Sequence, residues 1–226
     1  ALFTATTSTC VTGRVTLPTV SAWSTCGQVV ILLLIQLGGL GIITIMSGLM
    51  LLLNRKMGIG DRLLIQDAFN LNTMEGLSKF IRNVLLGTFL IEAIGAVLCM
   101  TVFVPQFGTR GIWISVFHSI SAFCNAGFDL LGTADANFVS LTGYMTDPLV
   151  NITIVLLILV GGLGFFVWED LLLAKNWRSL TLYSRLAISA TGFLLLLGWV
   201  YFTWAEWANP GTLGAMAPAD RLVGGL

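Results

Sequence analysis

The sequence predicts an all-α membrane protein built from repeated units of helix, re-entrant helix and helix, and three observations carry that prediction. Hydrophobic residues fill 56% of the 226 positions and charged residues only 10%, against about 25% charged in a soluble domain. Several apolar stretches reach the roughly 20 residues that a helix needs to cross a bilayer. A short pattern, a Cys-x-x-Gly turn followed by a helix containing Gly-Gly-Leu-Gly, occurs twice.

The spans come first. Gln28–Leu53, Leu149–Trp168 and Leu186–Ala205 carry no charge, and Asn83–Val104 carries only Glu92. Segment 54–82 holds Arg55, Lys56, Arg62, Lys79 and Arg82, and segment 169–185 holds Lys175, Arg178 and Arg185, together eight of the eleven basic residues. An excess of Lys and Arg marks cytoplasmic loops, so both segments are expected inside a cell membrane, with Arg14, Arg110 and Arg221 outside. Trp23, Trp168, Trp177, Trp204 and Trp207 flank the spans where interfacial anchors belong.

Gly111–Phe123, "GIWISVFHSISAF", is apolar but too short to span, and reads as a re-entrant helix entering from outside. Behind it lies Cys124-Asn125-Ala126-Gly127. The same spacing appears in residues 3–13, where Cys10-Val11-Thr12-Gly13 follows Phe3, and Thr7 falls opposite Ser121. Each copy leads to a span with the tetrapeptide, Gly38-Gly39-Leu40-Gly41 and Gly161-Gly162-Leu163-Gly164. The second span follows Pro148, which suits a first helical position. The resulting division is 1–53 as the end of one repeat, 54–82 as a loop and 83–168 as a whole repeat. A second loop, 169–185, and the opening of a third repeat, 186–226, follow. "LVGGL" at the end reads as the start of another re-entrant helix. Opening on Ala1, the sequence reads as a portion of a longer chain.

Non-helical backbone at membrane depth persists only where protein or a water-filled cavity satisfies it. A helix C-terminus carries roughly half a negative charge and favours a cation. The carbonyls of Cys10, Val11, Thr12 and Gly13, with those of Cys124, Asn125, Ala126 and Gly127, are therefore expected to line a cation filter. Thr12, Gly13, Ala126 and Gly127 are the positions nearest the ion. Rings of main-chain carbonyls can replace the hydration shell of K+. The competing reading makes the kinks structural connectors only.

The pairs Gly38/Gly39 and Gly161/Gly162, with Gly41 and Gly164, serve close helix packing or a hinge. Glu92, the one ionisable residue inside a span, is expected to support a pore loop by hydrogen bonding. Asp129 either attracts cations at the mouth or faces solvent, and His118 packs or hydrogen-bonds within its helix. Other function classes fall away. The formal net charge of zero offers no field for nucleic acid. The single histidine excludes multi-histidine metal sites, and the four cysteines read as free thiols. No catalytic constellation or phosphate-binding motif is present, so the chain is not read as an enzyme, and no cofactor is expected in it.

"SAFCNAGFD" followed by "GGLGF", with the earlier "CVTG" and "IQLGGLG", resembles the membrane subunits of the Trk/Ktr/HKT potassium transporters, of the KtrB and TrkH type. The resemblance implies four non-identical units around a pseudo-fourfold cation pore, incomplete in this chain, each giving one glycine to the filter. Glycine in the first loop goes with K+ selectivity and serine with Na+ permeation, and Gly13 matches the K+ type. It also implies a homodimer with lipid around it, Na+ as a coupling ion, and a cytoplasmic KtrA- or TrkA-like ring binding ATP or ADP. The loop "DRLLIQDAFNL" is the candidate contact for that ring. Arg14 departs from the pattern, where an apolar residue is expected. A Na+-permeable relative, a broken-helix alternating-access carrier, and an inactive or regulatory membrane fragment stand as alternatives.

Overall fold

A computed structural model describes residues 1–41, 44–45, 49, 60, 63, 77–132, 139–174, 176–209, 211–216 and 218–225. Arg55, Lys56, Arg62, most of "DRLLIQDAFNL", Asp135, Asn137 and Lys175 lie outside the described residues. Among those described the protein is all helical, with no strand. In order come α1 (Leu2–Thr9), the single turn α2 (Thr19–Ala22), α3 (Thr25–Leu40), α4 (Leu77–Phe107) and α5 (Thr109–Phe123). They are followed by α6 (Pro148–Leu163), α7 (Phe165–Leu173), α8 (Leu182–Glu206) and α9 (Pro218–Gly224).

Among the described residues two helices are long and apolar enough to cross a membrane, Lys79–Phe107 and Leu182–Glu206, and a third counts if α6 and α7 form one span. At 1.5 Å per residue the 25 residues of α8 reach about 37 Å, more than the ~30 Å hydrocarbon core. Their outward surface is largely apolar, with Phe193, Leu194, Leu196, Val200 and Tyr201 all more than half exposed. An apolar face of this size is out of place in water. This is a membrane protein.

The core forms where α4, α5 and α6 meet. Gly108, at φ 59° and ψ −137°, lets the chain reverse between α4 and α5. A Cβ at Gly111 would strike the Phe103 carbonyl, so glycine there allows α5 to return tightly along α4. Further down, a Cβ on Gly95 would sit 2.7 Å from both a Leu157 methyl and the Ser119 hydroxyl, so Gly95 is where all three helices touch. Phe103, Ile114, Phe117, Val150 and Leu157 fill the space between them. On the other side, α3 joins this cluster through Ile31 and Ile35. The Trp113 indole donates to the Gln28 Oε1 at 2.9 Å, tying α5 to the start of α3.

Two expected spans are not continuous helices. The helix of Gln28–Leu53 ends at Leu40, and that of Leu149–Trp168 bends by 93° between α6 and α7. The cause is the same in both. Gly41 (φ 78°, ψ 139°) and Gly164 (φ 87°, ψ 148°) occupy a region essentially reserved for glycine. Trp168 is also not an interfacial anchor. Past the bend it turns inward, donating to the Val160 carbonyl at 2.8 Å and packing edge-on to Phe123. Trp177, Trp204 and Trp207 do remain exposed.

Local chemistry fixes the remaining ends. Asp147 caps α6, its Oδ1 accepting from the Leu149 and Val150 amides at 2.9 and 3.2 Å, with Pro148 in the first turn. Asp170 accepts from both the amide and the hydroxyl of Thr181, closing the connection from α7 to α8. Arg221 gathers the carbonyls of Trp207, Gly214 and Met216 and lies 5.1 Å over the Trp207 ring. Replacing Asp147 by Ala should cost about 1 kcal/mol of stability, as loss of an N-cap does. Asp147→Asn should retain most of it, and thermal unfolding in detergent measures both.

Candidate ion-conducting site

The two short helices end in the same way. Cys10 (φ −82°, ψ 0°) and Cys124 (φ −75°, ψ −2°) close α1 and α5. Val11 and Asn125 then take positive φ, 53° and 56°, and Gly13 and Gly127 follow at 68° and 69°. The Val11 and Thr12 amides return to the Ser8 and Thr7 carbonyls, at 3.4 and 3.0 Å. The Asn125 and Ala126 amides return to Ala122 and Ser121, at 3.0 and 2.7 Å. This paired closure is a Schellman motif, which needs a left-handed residue just past the cap. Asn accepts that conformation readily, whereas a β-branched residue such as Val11 is strained in it by about 1–2 kcal/mol.

The motif uses up carbonyls of the last turn and leaves those beyond it free. Among the described residues, none of the main-chain carbonyls of Cys10–Gly13 or Cys124–Gly127 accepts a hydrogen bond. The two turns also meet. A Cβ on Gly13 would lie 2.6 Å from the Ala126 carbonyl oxygen and 3.4 Å from the Gly127 Cα, and a Cβ on Gly127 would lie 3.5 Å from the Gly13 Cα. Turns 114 positions apart thus touch backbone to backbone.

The tetrapeptides hold the turns from below. A Cβ on Gly38 would collide with the Thr9 carbonyl and one on Gly161 with the Phe123 carbonyl. In both copies, then, the last helical residue before the turn rests on the first glycine of the following span. The second glycines differ. Gly39 gives room to the Cys124 side chain of the other copy, while Gly162 lies beside Asn125 of its own. Cys10 is exposed and Cys124 buried.

A hydroxyl closes each turn above the glycine. The Thr7 Oγ1 accepts from the Arg14 amide at 3.1 Å and shares a hydrogen with the Thr12 hydroxyl at 2.6 Å. The Ser121 Oγ accepts from the Phe128 amide at 3.0 Å and donates to the Phe128 carbonyl at 2.8 Å. The exposed Arg14 guanidinium makes no hydrogen bond or ion pair among the described residues. Asp129 lies beside the second turn, its Oδ2 taking the Leu131 amide at 3.4 Å. With His118, Asn125 and Gly127 it lines a cavity of about 210 Å³. His118 itself is buried, its Nδ1 bonded to the Ile114 carbonyl at 2.8 Å, between the rings of Phe103 and Phe117.

The family model for TrkH, described as a cation transport protein, matches residues 1–206. The chain belongs to the TrkH family. Members of this family move cations and are not enzymes. The chain is 41% identical to the potassium/sodium uptake protein NtpJ of Enterococcus hirae over 207 residues, 91% of this chain and 45% of the relative. To the Ktr system potassium uptake protein B of Bacillus subtilis it is 36% identical, covering 98% of this chain and 49% of the relative. To the protein of the same name from Vibrio alginolyticus it is 34% identical, over 98% and 48%. The chain spans about half the length of the relatives it matches.

Within this TrkH-family chain, the surroundings of Glu92 were only half visible in the sequence. Its carboxylate is buried and takes both oxygens' bonds from one amide, Gln36 Nε2, at 2.9 and 3.2 Å. Its main-chain carbonyl accepts from Ser119 on α5 at 2.6 Å. Glu92 thus ties α4 to α3 through its side chain and to α5 through its backbone. Gln36 was missed, though it is the one polar residue in "LLLIQLGGLG" and that isolation is a signal. Thr7 and Ser121 were aligned by the repeat but given no role.

Two outcomes follow from this packing. Gly38→Ala and Gly161→Ala should each destabilise the protein by about 1–3 kcal/mol, because the new methyl meets backbone that cannot move aside. Gln36→Leu should cost about 1–3 kcal/mol by stranding a buried carboxyl group. The double variant Gln36→Leu/Glu92→Leu should recover most of that loss. Unfolding in detergent, analysed as a double-mutant cycle, checks the second.

Proposed function

We propose that the protein takes up K+ through a passage lined by the main-chain carbonyls of Cys10–Gly13 and Cys124–Gly127. The oxygens of Thr12, Gly13, Ala126 and Gly127 stand nearest the ion. The observation that carries this reading is the meeting of the two turns, with eight carbonyls that accept no hydrogen bond among the described residues. Carbonyl oxygens without a donor are strong, hard ligands, and a monovalent cation stripped of water is what such a set suits. The helix ends behind them add negative potential from α1 and α5. The names of the relatives point the same way, to potassium uptake.

In this reading residues 1–53 are the end of one unit around the pore, 83–168 are a whole second unit, and 186–226 opens a third. Segments 54–82 and 169–185 face the cytoplasm of a cell whose plasma membrane holds the protein. Gating by a cytoplasmic nucleotide-binding ring, with ATP or ADP on that partner, and pairing into a homodimer belong to the same proposal. The word "system" in the names of three relatives accords with more than one component. A Na+-permeable transporter is the second reading, favoured by the potassium/sodium name of the Enterococcus hirae relative. Gly13 in the first turn favours K+.

The test uses the protein expressed from its complete reading frame in cells lacking their own K+ uptake. Gly13→Ser and Gly127→Ser should lower the ratio of Rb+ to Na+ uptake by about tenfold, the equivalent of roughly 1.4 kcal/mol of discrimination. Parental discrimination in both variants sinks the carbonyl passage. A parent that takes up Na+ as readily as Rb+ establishes the second reading instead.

A further inference from the structure

We infer that the hydroxyls of Thr7 and Ser121 are positioning groups that aim the glycine carbonyls of the two turns. The inference rests on the carbonyl passage proposed above and deepens it.

In a trans peptide the N–H of one residue and the C=O of the residue before it point in opposite directions. Holding the N–H of residue 14 toward α1 therefore turns the carbonyl of Gly13 away from α1. The Thr7 hydroxyl does this by accepting from the Arg14 amide at 3.1 Å. The Ser121 hydroxyl does it for Gly127, accepting from the Phe128 amide at 3.0 Å.

Each of these residues grips the turn twice. The main-chain carbonyl of Thr7 takes the Thr12 amide at 3.0 Å, which sets the Val11 carbonyl, and its hydroxyl sets that of Gly13. The main-chain carbonyl of Ser121 takes the Ala126 amide at 2.7 Å, which sets the Asn125 carbonyl, and its hydroxyl sets that of Gly127. Glycine makes the second grip necessary. A residue without Cβ places little steric limit on rotation of its own peptide, so an unpinned Gly13–Arg14 or Gly127–Phe128 peptide is free to turn its oxygen away from the passage. A short hydroxyl side chain in the last turn of the preceding helix is a natural restraint, since Ser and Thr readily bond nearby main chain.

The two copies close the restraint differently, and the difference predicts unequal effects. At Thr7 the second bond goes to the Thr12 hydroxyl. Position 126, which corresponds to Thr12, is Ala, and the Ser121 hydroxyl donates instead to the Phe128 carbonyl at 2.8 Å. Phe128 is 2% exposed, so removing the Ser121 hydroxyl strands the amide and the carbonyl of a buried residue, which belong to two successive peptide units. Arg14 is exposed, and there water replaces the lost partner.

The experiment measures Rb+ and Na+ uptake for the complete protein in K+-uptake-deficient cells, with membrane levels determined by immunoblot and Gly127→Ser alongside. Ser121→Ala should lower the Rb+/Na+ ratio by roughly three- to tenfold and Thr7→Val by roughly two- to threefold, the range of one or two hydrogen bonds. Ser121→Thr and Thr7→Ser should restore the parental ratio. If Gly127→Ser changes the ratio while Ser121→Ala, at parental membrane level, does not, the positioning role is wrong and the passage stands. Unchanged ratios in both Gly127→Ser and Gly13→Ser, measured in the same cells, remove the passage, and this inference with it. Should Ser121→Ala fail to reach the membrane, Thr7→Val decides. A ratio equal to the parent's overturns the role, and a lowered ratio restored by Thr7→Ser supports it.

Discussion

The contact on which the rest of the structure depends is main chain against main chain, the Cys-Val-Thr-Gly turn beside the Cys-Asn-Ala-Gly turn. A bare carbonyl group removed from water costs several kcal/mol on transfer scales. The eight carbonyls of the two turns have no donor among the described residues, and the turns meet at Gly13, Ala126 and Gly127, an arrangement that hydrophobic packing alone does not account for. In the proposed reading a cation supplies what the protein does not. On that reading the short helices, the tetrapeptides and the hydroxyl restraints hold oxygen atoms in place rather than satisfy them.

Small residues provide the space. Gly38 and Gly161 let the spans approach the ends of α1 and α5 until backbone touches backbone, a closeness that any Cβ would prevent. This rigid support comes at the expense of helix continuity, because the last glycine of each tetrapeptide leaves the helical region altogether. Behind the turns, the pairing of Gln36 with Glu92 links the helices of the two copies at a depth where an unpaired carboxylate is unfavourable. One buried hydrogen-bonded pair across the boundary gives a fixed register that apolar contacts between Ile and Leu side chains do not specify.

Much of this was legible in the sequence, and the boundary is instructive. Apolar runs and a low charge content announce a helical membrane protein, and two turns and two tetrapeptides at matching positions locate the unusual backbone. Hydropathy, however, is blind to φ. The apolar run continues from Gly41 into "IITIM" and from Gly164 into "FFVW", so nothing in it marks the breaks that the glycine conformations create. Trp168 looked like an anchor because it ends an apolar run, yet the 93° bend carries it inward. Gln36 and Glu92 are 56 residues apart, and no local pattern pairs them. Thr7 and Ser121 were visible as an alignment, but only coordinates tell which amide a hydroxyl accepts.

The repeat has a geometric consequence of its own. The first copy meets the second through Gly39, which receives the Cys124 side chain, and through α3 against α5. That contact has a direction, from the tetrapeptide of one copy to the cysteine of the next. Carried one step further in each direction, it calls for a cysteine-like side chain at Gly162 and a tetrapeptide glycine at Cys10, and both of these positions are exposed. A heterologous contact repeated by rotation either closes into a ring or continues as a helix. The proposed pore requires the first outcome, because only a closed ring would bring the carbonyls of every copy to the axis on which the glycines of these two turns already meet.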